Sequence, residues 1–203
     1  KYLRGRGLDG EIVRQYRIGW APDDWDLLVR NVGIGFDRLE AVNLAMLNKR
    51  NRRQDVFRNR ILFPIFDSQG DPVALGGRVL PGGEGPKYRN SSETPIYAKS
   101  KVLYGLNWAK GAIVENDEAI VCEGYTDVIG MARVGLGRAV APCGTSLTEE
   151  HVRLLTRFGK RIVLAFDADA AGDNAAARFY EWEGKYEVDV RVAALPPGQD
   201  PGD

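Results

Sequence analysis

Carboxylates recur at three points where an apolar run meets a turn. Ala119-Ile-Val-Cys122 delivers Glu123, then Gly124, then Asp127 in the first turn of a helical pattern that starts at about Thr126. Arg161-Ile-Val-Leu-Ala-Phe166 runs into Asp167, with Asp169 two positions on and Gly172 before the next helical pattern. Gly198-Gln199-Asp200-Pro201-Gly202-Asp203 offers a third acidic turn. Runs this short and this quickly broken by glycine read as buried strands. Open α/β sheets place their ligands at the carboxyl ends of such strands. Each acid alone has a plain reading: a strand-end charge for Glu123, helix-terminus complements for Asp127, Asp167 and Asp169, an ordinary turn at Asp200. Together they would be three coincidences on one sheet edge. Two carboxylates about 4 Å apart repel by roughly 4 kcal/mol at an effective dielectric near 20. Such a site must raise its pKa values or hold a divalent cation. No histidine or cysteine cluster competes, because His151 is the single histidine and Cys122 and Cys143 are the two cysteines. Oxygen ligands alone favour magnesium-type chemistry, in which a few carboxylates and substrate phosphates share the ion. The expected reaction is phosphoryl transfer.

The elements that must position these acids follow from the surrounding pattern. With 203 residues, 44% hydrophobic and 28% charged, the chain can bury a real core as one large domain or two small ones. It has no apolar run near the roughly 18 residues of a membrane span. The chain opens on Lys1 without a methionine and stops inside a turn, as an excised fragment does. The lack of a secretory signal therefore carries little weight. Two cysteines are too few for a disulfide framework or a four-ligand zinc site and are expected reduced in the core of a cytoplasmic protein. Net charge is zero, yet residues 1–110 hold 19 Lys/Arg against 12 Asp/Glu, a net +7, and residues 111–203 hold 9 against 16, a net −7. A basic half beside an acidic half suits a protein that holds a polyanion with one part and metal ions with the other.

In chain order, the pattern predicts a helix from about Asp9 to Tyr16, a turn at Ile18–Pro22, and a second helix through Val29 capped by Asp23 or Asp24. Phe36 to Leu47 carries Leu39, Val42, Leu44, Ala45 and Met46 at helical spacing and is expected to pack in the core. Lys49–Arg53 reads as a charged loop, a solvated turn or a phosphate contact. Arg60–Asp67 is a strand with an internal proline, so an edge or a bulge. A turn at Ser68–Asp71 leads to a return strand, Pro72–Val79, interrupted by Gly76-Gly77, where a ligand or another backbone can approach closely beside Arg78. Lys87 to Pro95 interleaves basic residues with Tyr, Asn and Ser, the chemistry of phosphate contacts and base stacking or of a polar surface loop. The back half alternates: strand 119–122, helix 126–135, strand 138–141, helix 148–158 capped by Thr148, strand 161–166, helix 170–185, strand 188–195. That order predicts a parallel-rich sheet with right-handed crossovers. Gly144-Thr145 is a phosphate-binding turn or an ordinary tight one, and His151 is a packed or solvated helix residue.

Glu123-Gly-Tyr-Thr-Asp127, followed by Asp167-Ala-Asp169-Ala-Ala-Gly172, resembles the Toprim metal-binding signature. Toprim domains occur in primases, topoisomerases, recombination proteins and some nucleases. The front half narrows the choice. Phe57-Arg-Asn-Arg-Ile-Leu-Phe-Pro-Ile65, Gly76-Gly-Arg-Val-Leu80, Pro86-Lys-Tyr-Arg-Asn-Ser91, Glu93-Thr-Pro95, Lys99 and Leu103-Tyr-Gly-Leu106 look like the catalytic core of bacterial DnaG-type primases, as does Gly144-Thr-Ser146. The resemblance covers nearly the whole chain.

It implies an α/β fold, a Toprim-type parallel-rich sheet flanked by helices (residues 111–203, stopping before the helical end of the core) preceded by a smaller basic α+β subdomain (residues 1–110). It implies a DNA primase, a DNA-directed RNA polymerase making short RNA primers on single-stranded DNA for replication by metal-dependent nucleotidyl transfer. Glu123, Asp167, Asp169 and Asp200 would bind Mg²⁺ or Mn²⁺, with Asp127 a nearby acidic partner. The family often shows Asp-Pro-Asp at the third motif, whereas here Asp203 stands one position later. Arg78, Lys87 and Lys99 would contact template or ribonucleoside triphosphate, and Arg6, Arg58, Arg60 and Asn90 are further candidates for that surface. Zinc would belong only to a domain absent from this stretch. Contacts with the replicative helicase and single-strand-binding protein in the primosome would lie outside it too. A monomer in the bacterial cytoplasm without membrane attachment is expected. Two rivals are a Toprim nuclease or topoisomerase-like enzyme, for which no catalytic tyrosine is assigned, and a non-catalytic single-stranded-DNA module built on residues 50–101.

Overall fold

The computed structural model describes residues 2–166 and 182–193. They form two compact units, one grouping residues up to Ile65 with Pro72–Ala98, the other grouping Phe66–Asp71 with the described residues from Lys99 onward. Residues 99–110 therefore fall in the second unit.

The first unit opens with α1 (Tyr2–Gly5) and α2 (Gly10–Gln15). The helix expected from about Asp9 is present, and Asp9 caps it, accepting from the Glu11 and Ile12 amides at 2.9 Å each. The predicted turn after it is instead a strand, β1 (Gly19–Ala21). The second helix, α3 (Leu27–Asn31), starts later than Asp23 or Asp24 would place it. Its first-turn amides are held by a remote carboxylate: Asp55 accepts from Leu28 at 2.8 Å and from Val29 at 3.1 Å. A local capping rule cannot see a partner 27 residues away. The long helix expected over 36–47 is also corrected. α4 spans only Phe36–Ala41, Asn43 takes a left-handed φ of 56°, and the chain continues as β2 (Ala45–Leu47) paired antiparallel with β3 (Arg53–Asp55). Leu39 and Ala45 are buried as core, whereas Val42, Leu44 and Met46 are half-buried. The apolar spacing belongs to two elements. Asn48 tightens the hairpin between β2 and β3 by accepting from the Arg50 and Arg52 amides.

Strands β4 (Arg60–Phe66), β5 (Pro72–Val79) and β6 (Tyr88–Asn90) complete a sheet in the order β1-β4-β5-β6. Ile61, Phe63 and Ile65 alternate inward along β4, the period of a half-buried strand. Pro64 fits because β1 is short: it pairs only with Arg60–Leu62, so β4 has no β1 partner where the proline lacks its N–H. Gly76-Gly77 does not interrupt β5, since both residues pair with β6, Gly76 opposite Asn90 and Gly77 opposite Arg89. The close approach that Gly77 allows is intramolecular. A Cβ there would lie 2.8 Å from the Phe57 ring and 3.0 Å from Arg60 Cδ.

In the second unit β7 (Leu103–Tyr104), β8 (Glu118–Val121), β9 (Ala139–Pro142), β10 (Arg161–Leu164) and β11 (Asp189–Val192) form a sheet in the order β11-β10-β8-β9-β7. β8 to β11 run parallel and β7 is antiparallel on the edge. The helices are α5 (Leu106–Asn116), α6 (Tyr125–Arg133) and α7 (Glu149–Leu155). The alternation read from sequence is present from residue 118 to 166, and strand 188–195 is present as β11. The expected helix over 170–185 lies mostly outside the described residues. Helix α5, to which the pattern assigned no element, buries Leu106, Ala109 and Ile113 in the same core as Val121, Val140 and Ile162. It is capped by Gly105, where a φ of 89° and Val128 Cγ1 at 2.8 Å from a built Cβ would strain any other residue. Among the described residues no helix is long and apolar enough to cross a membrane.

The amino edge of this sheet is tied by charge. Glu118 accepts from Arg138 at 2.7 and 2.8 Å and meets Arg161 at 3.5 Å, and Arg161 bridges on to Asp189 at 3.0 Å. Glu118 and Arg138 are both largely buried, so removing the acid strands a poorly hydrated cation. Glu118→Ala is expected to lower unfolding free energy by about 2 kcal/mol, read from urea melts, while Glu123 at the opposite end of β8 is left in place.

At α7, Thr148 and His151 close a reciprocal cap. Thr148 Oγ1 accepts from the His151 amide at 3.3 Å, and His151 Nδ1 accepts from the Thr148 amide at 3.2 Å. The imidazole is buried, and burial pulls its pKa below the ordinary value, opposed by the Lys99 and Val102 backbone bonds and the Glu150 charge. Because the folded value is depressed, this stability is fully present above the unfolded histidine value of about 6.5. It is lost as pH falls below that, since protonation would set an Nδ1–H against the Thr148 N–H. Melts at pH 7.5 and 5.0 are expected to show a drop in stability that a His151→Gln variant lacks.

Candidate functional site

β8 ends at Val121, Cys122 is fully buried, and the chain then turns outward at Glu123, which is exposed. Gly124 is the extended residue before α6 (φ −139°, ψ 172°). Asp127, 8% exposed, reaches back so that its Oδ2 accepts from the Gly124 amide at 2.9 Å, while Thr126 Oγ1 lies 3.4 Å from its Oδ1. Asp127 therefore closes the helix start, and Glu123 is the carboxylate presented to solvent. Their joint field is felt at Cys122, whose thiol is pushed far up first by burial and then by the Asp127 and Glu123 charges. A locally negative, partly dehydrated strand end is what a divalent cation relieves.

β10 pairs in parallel register with β8, Leu164 opposite Val121, and the Ala165 amide donates to the Val121 carbonyl at 2.9 Å. The chain thus leaves β10 at the edge where Glu123 stands. Asp167, Asp169, Asp200 and Asp203 lie outside the described residues. Among the described residues no three His, Cys, Asp or Glu side chains cluster as metal ligands.

The first unit gathers Arg60, Arg78, Lys87 and Asn90 on β4 to β6 and the loop before β6. Arg78, 6% exposed, faces Tyr88 across the β5–β6 pair. Its Nη1 donates to the Tyr88 hydroxyl at 2.6 Å, and its guanidinium lies 5.1 Å from the Tyr88 ring centroid and 5.6 Å from that of Tyr2. Its Nε is buried with no hydrogen-bond partner, and no carboxylate pairs with it among the described residues. Arg60 is buried too but is engaged by backbone: Nη1 donates to the Pro86 carbonyl at 2.9 Å and to Gly77 at 3.3 Å. Burial, then the Arg89 charge, lowers its pKa. Lys87 is exposed next to Pro86, and Asn90 pairs with Gly76. Arg58, two residues before Arg60, is ion-paired with Asp23 and stacked 3.8 Å over the Trp25 ring. Arg6 is exposed just beyond α1. Lys99, in the second unit, opens a 3₁₀ turn, Lys99–Lys101, whose first carbonyl meets His151 Nε2 at 2.8 Å.

The DNA primase catalytic core, N-terminal domain family matches residues 1–110, more than half of the chain, and a Toprim-like family matches residues 120–203. The RNA polymerase domain of Mycobacterium tuberculosis primase DnaG superposes with a TM-score of 0.91 at 36% identity, covering 99% of this chain and 69% of that one. The chain belongs to the DnaG-type primases. A DNA primase of Pseudomonas aeruginosa is 45% identical over 98% of this chain, and a DnaG primase catalytic domain solved bound to single-stranded DNA matches with a TM-score of 0.90 at 38% identity. The chain spans about a third of the length of the curated primases it matches, 31% for the P. aeruginosa protein.

Within this primase core the parallel-rich α/β fold is as the sequence indicates. The aromatic flanks of Arg78 are not foreseen by it. Tyr88 has no role of its own in the Pro86–Ser91 motif, and Tyr2 is far away in sequence. The usable signal is the two-residue alternation of β5 and β6, which sets Tyr88 opposite Arg78 once the strands pair. His151, packed or solvated by its sequence, is fully buried. Nothing in a lone helical histidine points to Lys99.

Proposed function

We propose that this chain is the polymerising core of a bacterial primase, joining ribonucleotides into short RNA primers on single-stranded DNA. The supporting observation is the exposed Glu123 at the carboxyl end of a parallel strand, with Asp127 bracing the turn and a second strand leaving at the same edge. Glu123, Asp167, Asp169 and Asp200 are proposed as the metal-binding acids, Asp127 as the residue that shapes their turn, and Asp203 as a further donor. The donor set is entirely hard oxygen, which fits Mg²⁺ or Mn²⁺ and not a thiolate-seeking metal. When bound, such an ion lowers the pKa of an attacking hydroxyl and neutralises charge at the leaving group. The reaction forms a bond from the primer 3′-oxygen to the α-phosphorus and breaks the bond from that phosphorus to the β-bridging oxygen. The hydroxyl proton passes to solvent and pyrophosphate leaves.

The basic half, residues 1–110, holds template and nucleotide in this reading, and residues 111–203 hold the metal. Arg78 and Lys87 meet phosphate, Asn90 lies on the same strand pair, and Lys99 offers a point charge to a phosphate. Arg60 supports the loop that carries Lys87, and Arg58 and Arg6 extend the cationic surface. The relative solved with single-stranded DNA supports a template as partner. Ribonucleoside triphosphates, the primer, the replicative helicase and single-strand-binding protein are the further partners proposed for the whole protein in the bacterial cytoplasm.

The test is ribonucleotide incorporation on a single-stranded template by the full-length protein, with and without Mg²⁺ or Mn²⁺. Template- and metal-dependent RNA products are expected. Cleavage of DNA that ignores ribonucleotides would overturn the reading.

A further inference from the structure

The turn that begins with Lys99 is fastened to the start of α7 at two points. Thr148 Oγ1 donates to the Ser100 carbonyl at 2.9 Å, and His151 Nε2 sits 2.8 Å from the Lys99 carbonyl. The tautomer follows from the other ring nitrogen. Nδ1 faces the Thr148 amide at 3.2 Å, and an amide can only donate, so Nδ1 carries the lone pair and Nε2 the proton. The ring is 0% exposed, so water cannot replace this bond. A three-residue 3₁₀ turn has little intrinsic stability. Where its backbone lies is set by what holds its carbonyls.

We propose that His151 is a positioning residue that fixes the backbone of Lys99, and thereby the placement of its ammonium group against a phosphate of nucleotide or template. This rests on the phosphate-binding role given to Lys99 above. The ammonium's attraction falls with distance, and misplacing a binding group by about 1 Å can cost up to about a hundredfold in rate. The clamp acts through a main-chain carbonyl, so a change at residue 151 shifts a charge it never touches.

The experiment compares His151→Phe, His151→Gln, Lys99→Met and the His151→Phe/Lys99→Met pair in the full-length primase, measuring KM for ribonucleotide and for template separately from kcat. His151→Phe keeps a ring but loses the donor, and the expected result is a KM raised about tenfold with kcat within about twofold. His151→Gln offers an amide N–H toward the same carbonyl and is expected to restore KM to within about threefold of the parent. The double variant is expected to match Lys99→Met alone. Should the Phe variant not fold, His151→Asn, whose amide is too short to reach Lys99, takes its place. Additive effects in the double variant, a fall in kcat without a change in KM, or no rescue by Gln would overturn the proposal. A Lys99→Met variant that primes normally would sink the role of Lys99 and the clamp together. A defect in Lys99→Met beside a normal His151→Phe would sink the clamp alone.

Discussion

Glu123→Gln is expected to reduce ribonucleotide incorporation by about a thousandfold or more while leaving the melting temperature within about 2 °C of the parent. The two halves of that expectation have separate causes. Glutamine keeps the size of the side chain and one carboxamide oxygen but loses the charge. A hard divalent ion is held by charge and oxygen together, and in the metal-binding role proposed for Glu123 the loss of one anionic ligand corresponds to roughly 4 kcal/mol of barrier. Stability is spared because Glu123 is exposed beyond the end of β8, and surface substitutions usually stay within about 0.5 kcal/mol. Asp127 gives the contrast. Asp127→Ala removes the acceptor of the Gly124 amide and is expected to cost about 1 kcal/mol of stability, whereas Asp127→Asn retains an oxygen there and isolates the charge. A Glu123→Gln protein with near-normal activity in Mg²⁺ and Mn²⁺ would remove this carboxylate from the chemistry.

The carboxyl edge is readable in advance because its signals are local. An apolar run, a glycine and a helix start place Glu123 at a strand end and Asp127 in the turn that follows. Parallel strands buried on both faces show as continuous apolar runs, as β8 and β9 do, while β10 is an apolar run in which buried and half-buried residues alternate. What escapes a sequence reading is set by tertiary partners. Asp55 fixes the start of α3 from another strand, β1 exists only because β4 pairs with it, and α5 is too evenly apolar and polar for its buried face to stand out. The basic half is legible as charge and not as geometry. Its sequence does not say that Arg58 is matched by Asp23, that Arg60 is bonded to two carbonyls, or that Arg78 lies buried between tyrosines. Those differences sort cations that look alike in composition into distinct roles.

That sorting makes Arg78→Met the second large expected effect, and the sign of its two readouts differs from what a structural arginine gives. A buried guanidinium with an unpartnered Nε and no facing carboxylate among the described residues costs desolvation that its two ring contacts and one hydrogen bond only partly offset. At this burial each ring contact is worth up to about 2 kcal/mol and the hydrogen bond from the charged donor about 1.5–3 kcal/mol, against a desolvation cost of several kcal/mol. Methionine fills similar length with no charge to dehydrate. Folding stability is therefore expected to change by less than about 1 kcal/mol, in either direction. Single-stranded DNA or nucleotide binding is expected to weaken about tenfold or more, with the salt dependence of DNA binding shallower by about 0.7 for each phosphate that the variant no longer neutralises. Arg60→Met should behave oppositely. Its guanidinium satisfies the Pro86 and Gly77 carbonyls, so its removal is expected to cost about 1–3 kcal/mol of stability, with any binding defect following from a loosened Lys87 loop. Fluorescence anisotropy across a salt series, beside urea melts of both variants, reads the contrast. If Arg78→Met unfolds the protein while its residual folded fraction binds DNA normally, Arg78 is a structural residue, and the phosphate must be met by another cation of the group.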